Sequence, residues 1–114
     1  MKILKKVSVL GTGYRIIEDN CNNDPLLQNS FGYTDYTSKK IVITDFQNEE
    51  IEIEDVAKYR KQVIRHELIH AFLCESGLHE NCEWHNEEMV DWLAMQAPKL
   101  QKIFKKLNIF NEQV

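Results

Sequence analysis

The amino-acid sequence predicts an α+β domain: a small, mostly antiparallel sheet with helices packed on one face. Three observations predict it. Up to about residue 54 the chain is strand-like, rich in β-branched and aromatic residues between turn signals. From about residue 55 the apolar spacing changes to a helical period. Strands followed by helices, rather than alternating with them, give an α+β layer order. With 114 residues and 43% apolar content, residues 1–114 are read as one domain around one modest core.

The elements follow in order. "KKVSVLG" and "YRIIED" flank "GTG", which predicts a hairpin around Gly11 to Gly13. "CNNDPLLQNS" reads as a loop in which Leu26 and Leu27 turn inward. "FGYTDYT" and "KKIVITDF" surround a polar turn and predict a second hairpin. Asp55 is a plausible N-cap for a helix running to about Ser76, with Gly77 as its stop. Residues 78–85, "LHENCEWH", form a polar loop, and Asn86 caps a second helix, "EEMVDWLAMQA". Pro98 is expected to end or kink that helix, leaving "KLQKIFKKLNIF" as a third.

Composition narrows the function. Net charge is −4, with no basic run, which argues against nucleic acid as a partner. No stretch reaches a membrane-spanning length. Lys5 and Lys6 interrupt the apolar N-terminus, which reads as a strand rather than a signal peptide. Cys21, Cys74 and Cys82 are odd in number and form no C-x-x-C, as expected of an intracellular, reduced protein.

The specific signal is "RHELIHAFLCESGL", which carries His66, Glu67 and His70 as H-E-x-x-H. Residues four apart on a helix share one face, so both imidazoles can reach one ion. Glu67 falls about 100° round the helix, where a general base for a water molecule at the metal belongs. Leu68, Ile69, Ala71, Phe72 and Leu73 cover most of the remaining surface, so the segment is expected to be buried nearly all round. A buried carboxylate beside two imidazoles calls for a cation. One zinc ion is the expected cofactor.

A catalytic zinc needs a third protein ligand. Candidates are His79, His85, Glu87 and Glu88. The pattern H-E-x-x-H-x-x-G-x-x-H is excluded, because Leu73 and Ser76 stand where it needs glycine and histidine. On the second helix Glu87 and Asp91 border the apolar face, whereas Glu88 falls about 100° from Glu87, nearly opposite the core. Glu87 is therefore favoured as ligand, with Asp91 holding a ligand histidine. His85 is the rival third ligand, and has a second candidate role as an oxyanion-stabilising or proton-donating group at the rim.

"HELIH" followed by "NEEMVD" resembles the gluzincin metallopeptidases, whose later helix supplies a glutamate ligand in an N-E-x-x-x-D setting. Carried across, the resemblance implies Glu87 as ligand and Asp91 as orienting residue. "GYTDYTSKKIVI", "RHELIHAFLCESGL" and "NEEMVDWLA" make most of residues 5–100 similar to small zincin-like proteins of phages and prophages. ImmA/IrrE-type proteases are a more distant likeness. SprT-like proteases use a later histidine instead, but "EWHNEE" stands where their "GHG" would be. The resemblance implies a minimal zincin-like fold, a protein or peptide substrate and a bacterial cytoplasm. Its rival, from another class, is a zinc-stabilised binding module of the same fold acting on a host or phage protein.

Other features have plainer expectations. Cys74, one turn past His70, reads as a buried thiol, and a structural cluster of Cys74, Cys82 and a histidine lacks the usual short spacing. Trp84 and Trp92 are expected to pack the second helix on the first. Leu100, Ile103, Phe104 and Leu107 form a core or docking stripe, with Lys99, Lys102, Lys105 and Lys106 on the solvated side. Tyr33 and Tyr36 are expected to pack in the sheet. Residues 40–46 are a candidate sheet edge for pairing with extended substrate.

Overall fold

The computed structural model describes residues 1–47, 52–79 and 82–110. The expectations for residues 48–51, in the strand-like half, and for residues 80 and 81, in the polar loop, fall outside these. The architecture is α+β: a four-stranded mixed sheet and two helices. Among the described residues no helix is long and apolar enough to cross a membrane.

The first hairpin joins β1 (Lys2–Val9) to β2 (Thr12–Asp19) through Leu10 and Gly11, both at positive φ. That backbone is the one a two-residue turn needs to match the strand twist. A short 3₁₀ turn at Pro25–Leu27 is capped by Asp24. It buries Leu27 but leaves Leu26 mostly exposed, because three residues per turn send neighbouring side chains to different sides. The second hairpin joins β3 (Gly32–Asp35) to β4 (Lys40–Thr44).

The two hairpins join by a parallel pairing of β2 with β4, giving the order β1-β2-β4-β3. β4 is therefore interior, and the edge beside the first helix is β3 rather than residues 40–46. The reason is visible in β4 itself: Ile41, Val42, Ile43 and Thr44 are all buried. A run apolar on both faces belongs inside a sheet, not at its edge. Ile41 and Ile43, with Val9, Tyr14 and Ile16, pack against Val63 and Ala71 of the first helix. Val42 and Ile17 face the other way, onto Leu27.

Helix α1 (Val56–Glu75) starts at Asp55, whose side chain accepts from the Lys58 N–H at 3.1 Å. It ends as Gly77 predicts. Gly77 takes φ +82°, its N–H bonds the Cys74 carbonyl, and Leu78 N–H reaches back to the Leu73 carbonyl. This paired closure satisfies the last carbonyls and turns the chain back across the helix. The helix is not buried all round. Phe72 is 44% exposed, because the sheet covers one side of α1 and α2 only part of the other.

Helix α2 (Glu87–Lys106) is capped by Asn86 and runs through Pro98, so the predicted break and third helix do not occur. Proline removes the N–H that would bond the carbonyl four residues earlier. That carbonyl belongs to Ala94, and Arg65 Nε of α1 donates to it at 2.7 Å. The orphaned acceptor is satisfied from the neighbouring helix. The helix ends at Asn108, at φ +54°, in the same closure that Gly77 makes.

Trp84 and Trp92 do not form the helix interface; each is more than half exposed. The small residues Val90 and Ala94 are buried instead, and they let the two helices approach closely. Ile103, Phe104 and Leu107 are likewise exposed, so that stripe is not core. Lys99, Lys102, Lys105 and Lys106 are exposed, as the charge pattern predicts.

Candidate metal centre

One packing contact sets the centre against the sheet. A Cβ at Gly32 would lie 3.0 Å from both the Val42 carbonyl oxygen and a Val63 methyl, so the edge strand β3 presses closely on α1. This brings Thr34 of β3 to Glu67 of α1. The Thr34 hydroxyl lies 2.9 Å from Glu67 Oε1 and 2.9 Å from the Glu67 carbonyl oxygen. Glu67 is 7% exposed. Burial raises its pKa above the ordinary glutamate value, against the opposing pull of His66 and the Thr34 hydrogen bond.

The two helices converge on His66 and His70. Their Nε2 atoms are 3.1 Å apart. Glu87, in the first turn of α2, reaches His66 Nε2 at 3.0 Å and His70 Nε2 at 2.8 Å. Asp91, one turn on, reaches His66 Nδ1 at 2.7 Å. Glu88 is exposed, as its angle predicts. The convergence of His66, Glu67, His70, Glu87 and Asp91 is the arrangement expected from the spacing.

His85 departs from expectation. Its Nε2 lies 2.7 Å from His70 Nδ1, on the side of the ring away from Glu87, and its Nδ1 lies 2.6 Å from the Leu78 carbonyl oxygen. It lines the cleft from behind His70, and Glu87 rather than His85 is the group that reaches both Nε2 atoms. The turn at Gly77 carries the chain back over the helix to this position, which helical angles alone do not reveal. The available signal was the glycine stop followed by a histidine within a short loop.

With a cation bound between the two Nε2 atoms, these contacts would assign the protons. A carbonyl only accepts, so His85 Nδ1 carries its hydrogen and, in the neutral ring, Nε2 accepts. His70 Nδ1 would then donate to it and His70 Nε2 would be free to hold the ion; without one, Glu87 Oε1 at 2.8 Å calls for a hydrogen on that same nitrogen. With the ion bound, Asp91 at 2.7 Å from His66 Nδ1 would impose the same tautomer on His66. Burial lowers the pKa of His70 below the ordinary histidine value, with Glu87 opposing, which favours the neutral ring.

Two imidazole Nε2 atoms and a carboxylate therefore face one point. In tetrahedral zinc with bonds of about 2.0–2.1 Å to nitrogen, ligand atoms stand roughly 3.3–3.4 Å apart. The observed separations of 2.8–3.1 Å need only a few tenths of an ångström of opening. The donor set thus fits a zinc ion held by His66, His70 and Glu87.

The surroundings are a cleft of about 440 Å³ lined by Gly32, Tyr33 and Thr34 of β3 on one side and by His66, His70, His85 and Glu87 on the other. Its described lining holds no lysine or arginine. Tyr33 packs under the sheet with Ile17, Leu27 and Val42, and its hydroxyl donates to Asp24. Tyr36 does not pack in the sheet; its ring stands 4.0 Å from that of His79. Cys74 is only half-buried, with its sulfur 3.4 Å from His79 Nδ1.

No family model, curated protein or solved structure matches the chain, so its function is argued from the geometry of its own residues.

Proposed function

We propose that the protein is a zinc-dependent peptidase with Glu67 as general base. The observation that carries this reading is the meeting of the His66 and His70 Nε2 atoms and the Glu87 carboxylate beside the buried Glu67. Zinc held there by His66, His70 and Glu87 would supply a polarised carbonyl and a water of pKa about 7. Glu67 Oε2, 3.9 Å from His66 Nε2, takes the proton of the attacking water and delivers it to the leaving amine. Its raised pKa brings the carboxyl closer to working pH, which suits a group that must both take and give. Asp91 and His85 keep the ligand rings in register.

The substrate is an extended stretch of protein or peptide. Strand β3 is a sheet edge lining the cleft, and its backbone can pair with such a chain. The resemblance of "HELIH" and "NEEMVD" to gluzincins, and of the chain to phage and prophage zincin-like proteins, supports the same chemistry in a bacterial cytoplasm.

A second reading, a zinc-stabilised module that binds a host or phage protein, is favoured by one observation. Trp92, Met95 and Ile103 are each more than half exposed on α2. Glu67→Gln separates the two readings. The peptidase loses hydrolysis by about 10²- to 10⁴-fold, the usual worth of a positioned base, while metal content is unchanged. Full biological effect in that variant would sink the peptidase reading.

A further inference from the structure

The histidines not used as ligands lie with a thiol. Cys74 Sγ, His79 and His85 each offer a donor atom, and these lie within 4.8 Å of one another. The sulfur is already 3.4 Å from His79 Nδ1. We propose that Cys74, His79 and His85 form a second metal site, selective for a thiophilic cation of the zinc or cuprous class.

The chemistry of the donors selects the cation. One thiolate and two imidazoles suit zinc or copper(I), and not magnesium or calcium, which prefer oxygen. The sequence spacing agrees. His79 and His85 stand as H-x₅-H, inside the range found in structural zinc sites, and Cys74 precedes His79 by five residues across the Gly77 turn. Bonds of about 2.3 Å to sulfur and 2.0–2.1 Å to nitrogen require donors roughly 3.3–3.8 Å apart. Side-chain movement of about 1 Å closes the present arrangement. Cys74 is fixed on α1, so the two loop histidines make that movement. The Cys74 thiol loses its proton to solvent as the sulfur–metal bond forms.

This site uses neither Glu87 nor His66, so it stands independently of the peptidase reading. It is nonetheless coupled to the first centre through His85. Both ring nitrogens of His85 are engaged, one by His70 and one by the Leu78 carbonyl. A second ion must take one of them. It either withdraws the partner that orients His70 or releases the ring from its carbonyl anchor. The second ion therefore binds after the first and more weakly, and its arrival loosens the first.

Cobalt(II) titration of the full chain, with thiols kept reduced, tests the proposal, because a thiolate ligand gives a charge-transfer band that the His66, His70 and Glu87 set cannot give. The band is expected to grow with the second equivalent. Cys74→Ser should remove it and keep the first equivalent. His79→Ala, in the loop, should weaken the second step by about tenfold or more. Glu87→Ala should keep the band while losing the other equivalent. Titration with no charge-transfer band, or a band that survives Cys74→Ser, overturns the proposal.

Discussion

Helix α1 carries two clusters of polar side chains, and they are built on opposite principles. At its C-terminal end Glu75 is closed off within the chain. Lys39 Nζ lies 2.7 Å from one oxygen, the Tyr14 hydroxyl donates to the same oxygen at 2.7 Å, and the Thr12 hydroxyl donates to the other at 3.1 Å. Every demand of that carboxylate is met by a cation and two hydroxyls. Two turns earlier, Glu67, Glu87 and Asp91 gather around His66 and His70, and the described lining of the cleft offers no lysine or arginine. One cluster meets its carboxylate with a lysine; the other gathers one buried carboxylate and two largely exposed ones around two imidazoles. Burial of the Glu67 carboxylate disfavours its charge, and on the proposed reading a metal would supply the compensating positive charge.

Removing metal should destabilise the fold through the second cluster and leave the first untouched. If zinc completes the second cluster, a chelator lowers the melting temperature, since an ion at one hundred times its Kd contributes about 2.7 kcal/mol. Thermal unfolding with and without chelator checks this, and an unchanged midpoint would mean that the carboxylates tolerate one another unaided.

The next effect belongs to the residues behind the ligands. Asp91→Asn and His85→Ala should each weaken zinc by about 10- to 100-fold, because each fixes a ligand tautomer without touching the ion. Competition with a colorimetric chelator measures both. Equal losses would support the two-sided orientation of His66 and His70; no loss in His85→Ala would return that residue to an ordinary loop role.

The smallest effect lies at the self-sufficient cluster. Tyr14→Phe removes one buried hydrogen bond, typically about 1 kcal/mol, and should lower the melting temperature by a few degrees with zinc content unchanged. Its acid behaviour has a definite sign. Hydrogen bonds from Lys39 and Tyr14 hold the Glu75 carboxyl below the ordinary glutamate range. Its contribution is therefore complete above that range and is lost as pH falls through the lowered folded value. Glu75→Gln should differ most from the parent near neutrality, and the two unfolding curves should converge in acid.

Most of the grouping of these side chains was legible in sequence because helices turn spacing into direction. His66 and His70 share a face by their four-residue interval, and Glu87 and Asp91 separate from Glu88 by angle alone. Both hairpins and both N-caps were legible from turn and capping residues, since Asp55 and Asn86 each do what a short acceptor does at a helix start. What was not legible depends on contacts between distant segments. The parallel joining of β2 to β4 put β3 at the edge, and no local pattern states which strands of two hairpins meet. Pro98 reads as a break unless one knows that Arg65 reaches the carbonyl it orphans. His85 found its place through the loop that turns at Gly77. Trp84 and Trp92 look like core by composition, but close approach of the helices at Val90 and Ala94 excludes side chains of that size.

Glu87 is the residue proposed to bring the second helix to the ion. Zinc quantified on purified Glu87→Ala and Glu88→Ala, beside the parent chain, tests this directly because the two substitutions are neighbours of identical chemistry on different faces. The parent and Glu88→Ala should each retain about one equivalent of tightly held zinc, and Glu87→Ala should lose more than about nine-tenths of it under the same dialysis, a loss beyond that of an orienting residue. Full zinc in Glu87→Ala, or a loss confined to Glu88→Ala, would contradict the assignment.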